Sequence, residues 1–251
     1  MLRLLLLLML IATPLRAEQV IAGLSQNHVS ITANFVGSEI LIFGAVKRDE
    51  PVPTDSPLEV IIAISGPSEP VTVRRKDRRY GIWINVESAL IDAAPSFYAV
   101  ATTAPLADIL TPAEDTRYAV SIPQVIQSAG ASQTHENADD FSTAVMRIRT
   151  ADGLYQTLVG QVELTEDTLF NTSIELPSNL TEGDYTARIF ITRGGTVLDL
   201  YETTIDVRKV GLERWLYNLA HERPLIYGLL SLFIAIIAGW GASAVFRYAR
   251  I

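Results

Sequence analysis

Residues 224–246, PLIYGLLSLFIAIIAGWGASAVF, carry no charged side chain. As a helix rising about 1.5 Å per residue, the run reaches roughly 34 Å, enough to cross a hydrocarbon core of about 30 Å with slight tilt. Pro224 suits the first helical turn, where its missing N–H costs nothing. Tyr227 falls near one end; Trp240, Arg247, Tyr248 and Arg250 fall near the other, as the aromatic and basic anchors of a membrane interface do. The run therefore predicts one transmembrane helix over 224–246, followed by a stub at 247–251.

Two patterns surround this helix. Ser231, Ala235, Gly239 and Ser243 recur at every fourth residue and define one narrow ridge. The ridge is either a helix-packing face for a membrane-protein partner or the ordinary small-residue content of a spanning helix. Upstream, at 209–223, Leu212, Trp215, Leu216 and Leu219 form an apolar stripe at helical spacing. The stripe fits a juxtamembrane amphipathic helix with Trp215 at the headgroups, a helix docked on the rest of the chain, or an extension of the span.

The other end of the chain sets the expected orientation. Arg3, the apolar run Leu4 to Ala12 and the small residue closing Leu15-Arg16-Ala17 have the order of a secretory signal peptide over 1–17. Arg208, Lys209, Arg214 and Arg223 precede the span, whereas Arg247 and Arg250 follow it, which by cation count alone favours the reverse topology. Long translocated domains obey that count poorly, so the export signal governs: the body lies outside and the stub in the cytoplasm.

The net charge is -8, and removal of the leader with its two cations Arg3 and Arg16 lowers it to -10. Such a body has no general affinity for nucleic acid. The chain has no cysteine, which excludes disulfides, thiol catalysis and cysteine-bound metal.

Between leader and span the pattern is that of strands. HVSITANF alternates Val29, Ile31, Ala33 and Phe35 with polar neighbours, while EILIFGAV and LEVIIAI are continuous apolar runs of buried central strands. VTVRR, GIWINV and SFYAVATT follow, so 18–104 reads as a first β-sandwich domain. Over 105–153 the strand pattern fades into a helical or irregular connector, with Phe141, Val145 and Ile148 at helical spacing behind Asp139 and Asp140 as caps. A second β-rich domain at 154–208 sets Tyr185, Ala187, Ile189 and Ile191 on one face. It turns at Arg193-Gly194-Gly195-Thr196 and returns through Tyr201, Thr203, Ile205 and Val207. NLTEGDY is similar to the tyrosine corner of immunoglobulin-like sandwiches, although Tyr185 also fits as a plain core residue. The expected fold is mainly β: two immunoglobulin-like antiparallel sandwich units, a helical connector and one C-terminal transmembrane helix.

Chemistry-bearing motifs are sparse. His28, His135 and His221 lack metal-ligand spacing, and there is no GxSxG, Walker or GxGxxG pattern, so no catalytic, metal or cofactor residue is assigned. The concentrated charge feature is RRKDRRY: Arg74, Arg75, Lys76, Arg78 and Arg79. On an acidic body these cations fit an anion or acidic-partner patch, or a solvated edge protected by charge against strand pairing.

FVGSEILIFGAV, VTVRRKDRRYGIWIN, PSFYAVATTAPL, LPSNLTEGDYTARIFITRGG and VGLERWLYNLAHERPLIYGL together resemble the alphaproteobacterial transmembrane protein family Alph_Pro_TM. The resemblance spans nearly the whole mature chain. It implies a bacterial inner-membrane protein with a periplasmic body, and brings no activity, cofactor or catalytic residue. It also implies a setting like that of accessory proteins accompanying sulfite-exporter-like permeases. The sequence thus leads to a non-enzymatic accessory subunit with lipid and a membrane protein as partners, or alternatively to a periplasmic anion-binding or sensing ectodomain.

Overall fold

The computed structural model describes residues 18–32, 35–48, 56–130, 138–210 and 212–248. The leader at 1–17, His135 and Arg250 lie outside the described residues. The chain divides into two compact units. One, the head, takes in the residues up to Val29 and then Val36–Val207; the other takes in Ser30–Phe35 and Arg208 onward.

Strand predominates in the head, in keeping with the β-branched, alternating segments. Its first strands are β1 (Gln19–Leu24), β2 (His28–Ile31), β3 (Ser38–Lys47), β4 (Leu58–Ser65), β5 (Ser68–Arg79), β6 (Ile82–Pro95) and β7 (Tyr98–Thr102). Helices α1 (Leu106–Ile109), α2 (Pro112–Tyr118), α3 (Ile122–Ser128) and α4 (Ala138–Ala151) follow. The remaining strands are β8 (Tyr155–Val159), β9 (Glu163–Thr165), β10 (Leu169–Leu176), β11 (Gly183–Arg193) and β12 (Thr196–Lys209).

The division into two β domains is corrected by strand pairing. The four-stranded sheet has the order β1-β3-β10-β9 and the six-stranded sheet β2-β12-β11-β4-β7-β8, so both mix early and late strands. Thr172 lies opposite Ile42, and Ile189 opposite Ile62. The segments 18–104 and 154–208 therefore build one β body, because each supplies strands that the other leaves unpaired.

The connector does more than join. β7 and β8 are parallel neighbours, against the expected antiparallel order, and a parallel pair requires a crossover of a dozen or more residues. Residues 105–153 connect the two strands, and α2 and the turn after it pack on the outer face of the six-stranded sheet. Tyr118 packs edge-on against Phe190 at 5.7 Å, and the Tyr98 hydroxyl donates to the carbonyl of Val120 at 2.6 Å. Covered on one side by helices, β4 is buried at every position from Val60 to Ile64, each fully excluded from water. This is why LEVIIAI is continuously apolar rather than alternating. Each such Val or Ile contributes roughly 1.5–3 kcal/mol by leaving water.

Local signals fix the helix starts. Thr111 and Ser121 accept from the backbone N–H of Glu114 and Gln124, as the TPAE and SIPQ spacings dictate. In α4, Phe141 and Val145 are buried, but Ile148 is half exposed, and Asp139 and Asp140 sit within the first turn rather than before it. The Arg193–Thr196 hairpin forms as its glycines predict, with φ of 57° at Gly194 and 81° at Gly195. Tyr185 is buried near the start of β11, and its hydroxyl donates to the Thr181 carbonyl at 2.8 Å.

In the second unit, α5 (Leu212–Glu222) and α6 (Pro224–Tyr248) are separate helices meeting at Arg223. Pro224 begins α6 and leaves the chain break at its own first turn. No part of Pro224–Ser243 is buried within the protein, although it is apolar on all sides. A helix of that composition belongs in lipid.

Candidate interaction surfaces

The basic cluster lies on a projecting ribbon. β5 and β6 form their own two-stranded sheet, joined by the turn Tyr80-Gly81. Val73, Ala89 and Ile91 are buried at its base, whereas Arg74 to Ser88 are exposed throughout apart from the intermediate Val86. The free portion is six residues long on the β5 side, or about 20 Å at ~3.4 Å per residue.

Register divides the cations between two faces. Arg78 lies opposite Trp83 and Lys76 opposite Asn85, while Arg79 opposite Ile82 and Asp77 opposite Ile84 alternate with them. Arg75 pairs with Glu87 at 2.8 Å, and Arg79 reaches Asp77 at 3.4 Å. Arg74, Arg75, Lys76, Arg78 and Arg79 thus share one ribbon without converging on a single point. The structure adds what the charge pattern concealed: Ile82 and Trp83 are exposed to 64% and 68%, and the Tyr80 ring is wholly in solvent.

A second surface lies on the outer side of the four-stranded sheet. In β3, Ile40, Ile42 and Val46 point into the core, while Leu41 and Phe43 are 43% and 47% exposed. EILIFGAV is therefore a one-sided strand, correcting its reading as a fully buried one. Register sets Ile21, Phe43 and Leu169 on that same outer face, with Gly23 beneath the Phe43 ring. The signal was present in the run itself, since strict alternation forces every second residue outward once Ile40 and Ile42 are inside.

In the membrane unit, Ser231, Ala235, Gly239 and Ser243 are all exposed along α6, and an added Cβ at Gly239 would meet nothing within 4 Å. Trp215, Tyr227 and Trp240 are exposed as well, while Arg247 and Tyr248 end the helix. A chain model of the family described as "Putative transmembrane protein (Alph_Pro_TM)" matches residues 19–248. The chain belongs to this family. Its membrane helix is the apolar α6, the one candidate span among the described residues. No curated protein matches the sequence.

Several titratable groups of this Alph_Pro_TM protein are engaged in structural bonds. Glu18 accepts from Arg48 at 2.8 Å and from Arg193 at 2.8 and 3.0 Å. Asp115 accepts from the Ser121 N–H and hydroxyl at 2.7 and 2.6 Å. His28 faces Asp206 at 3.2 Å, and His221 stacks on Tyr217 at 4.0 Å. Burial pushes the phenols of Tyr98, Tyr155 and Tyr185 up to about 12. Among the described residues no group of His, Asp and Glu has the arrangement of a metal site.

Proposed function

We propose that this Alph_Pro_TM protein is a non-enzymatic interaction subunit, held by α6 in the bacterial inner membrane with its head in the periplasm. Its partner is a membrane protein, for which a sulfite-exporter-like permease is the kind that the sequence resemblance implies. The observation that carries the reading is the outer sheet face bearing Ile21, Leu41, Phe43 and Leu169. A folded head gains nothing by holding these four large apolar side chains half in water, and exposed apolar patches mark interaction sites. The small-residue ridge of α6 offers the same partner a close helix contact in the bilayer.

The test is purification of the full chain in mild detergent from native membranes. A stoichiometric membrane partner is expected, and the double variant Leu41→Glu/Phe43→Lys should lose it while melting at the same temperature. A solitary monomer from wild-type membranes sinks the reading.

A further inference from the structure

We infer that the β5–β6 ribbon is a membrane-binding arm whose tip enters the interface of a leaflet rich in anionic phospholipid. The inference rests on the membrane span, not on the partner proposed for the sheet face.

Three features of the arm converge on lipid. The first is composition. Tyr80, Ile82, Trp83 and Ile84 are exposed at the tip, Arg78 and Arg79 stand level with Trp83 and Ile82 across the ribbon, and Arg74, Arg75 and Lys76 follow behind, against Asp77 and Glu87. Aromatic and branched apolar side chains flanked by cations are the arrangement that seats a segment at headgroup level, where the cations meet phosphate. Arg74, Lys76 and Arg78 form no ion pair among the described residues, so they are available for it.

The second is the turn. Tyr80 has φ of 52° and Gly81 of 87°, the two left-handed residues of a type I′ turn. Asn is the favoured residue at the first of these positions, and a side chain as bulky as Tyr is disfavoured there. The Tyr80 ring gains no compensating contact, being fully exposed. A local rule broken without intramolecular return marks a position selected for something outside the head.

The third is the ribbon's isolation. Beyond its buried base at Val73 and Ala89 the two-stranded ribbon is open to water, and such a ribbon is marginal by itself. Its excess positive charge stands out on an acidic chain of net charge -8, which gives it a preference for a negatively charged surface. The head is covalently continuous with a span, so a bilayer is always present at high effective concentration. That presence favours lipid over an acidic protein or a second copy of the chain.

The absence of cysteine makes the test direct. The full chain carrying Tyr80→Cys, with a nitroxide label, is placed in nanodiscs of phosphatidylcholine alone or mixed with phosphatidylglycerol. Ile82→Cys serves as a second tip site, and Ser88→Cys, at the exposed arm base, as the reference. The expected result is that both tip labels lose collisions with a water-soluble nickel relaxant and gain them with oxygen in the phosphatidylglycerol discs. Ser88→Cys should stay aqueous, and Arg78→Glu/Arg79→Glu or high salt should return the tip to water. Tip labels that stay aqueous in phosphatidylglycerol overturn the inference. So do labels shielded from both relaxants, which would mean burial in protein, or lipid entry that survives charge reversal.

Discussion

Arg188 Nη2 lies 3.3 Å from the Tyr98 hydroxyl, and these two side chains together fasten the helical crossover to the six-stranded sheet. Arg188 also donates to the carbonyls of Tyr118 and Ala119 at 2.7 and 3.0 Å, where α2 ends and the chain turns left-handed at Ala119. Its guanidinium further stands over the Phe190 ring at 5.4 Å. Replacing Arg188 by Met removes its bonds to two part-buried carbonyls, and should cost about 2–4 kcal/mol in urea unfolding. Lysine should restore little, because one ammonium cannot reproduce the planar fork. Recovery of full stability by Arg188→Lys would show that charge alone is at work.

The raised phenols give the head an alkaline limit. Burial favours the neutral form of Tyr98, Tyr155 and Tyr185, holding each at about 12 against the ordinary phenol value of 10.0. The folded state therefore keeps protons that the unfolded state releases, so this stability is whole below pH ~10 and is lost as pH climbs toward ~12. Chemical unfolding monitored at stepped pH should show the midpoint falling across that window. Tyr185→Phe should flatten part of the fall, at a cost of about 1 kcal/mol at neutral pH for the lost bond to Thr181. A midpoint unchanged from pH 9 to 12 would refute the assignment.

Glu18 and Arg193 close the edge of the body. The Glu18 carboxylate joins Arg193 and Arg48, and all three side chains are only 10–15% exposed. Glu18→Gln removes a carboxylate that two guanidiniums share and should cost roughly 2–4 kcal/mol, with little dependence on salt. The exposed Arg75–Glu87 pair on the arm makes the contrast: Glu87→Gln should shift unfolding by less than about 1 kcal/mol. Equal effects from the two substitutions would contradict the difference in burial.

Gly44 is a packing requirement of β3. A Cβ there would fall 2.4 Å from Phe170 Cζ and 2.6 Å from the Ile21 carbonyl oxygen. Gly44→Ala should destabilise by about 1–3 kcal/mol through overpacking. Phe170→Leu in the same chain should recover only part of the loss, because the Ile21 backbone cannot retreat as a ring can. Calorimetric melting of the single and double variants checks both expectations.

The sequence by itself determined what depends on neighbours along the chain. A charge-free run long enough to span lipid, paired glycines that take up a left-handed turn, and alternation that sends Tyr185, Ala187, Ile189 and Ile191 inward are local properties. TPAE and SIPQ were equally local, and reading them as capping boxes would have placed α2 and α3 inside a segment read only as irregular or helical.

Only the tertiary structure decided which strand lies beside which. Side-chain alternation assigns a residue to a face, but the hydrogen bonds between strands come from backbone groups that every extended residue presents alike. Hence nothing in EILIFGAV names β10 as its neighbour, nor does LEVIIAI name β11. The same freedom hid the two surfaces. Leu41 and Phe43 look like core until Ile40 and Ile42 have taken the inner face, and Trp83 looks like core until its ribbon finds no sheet to lie on.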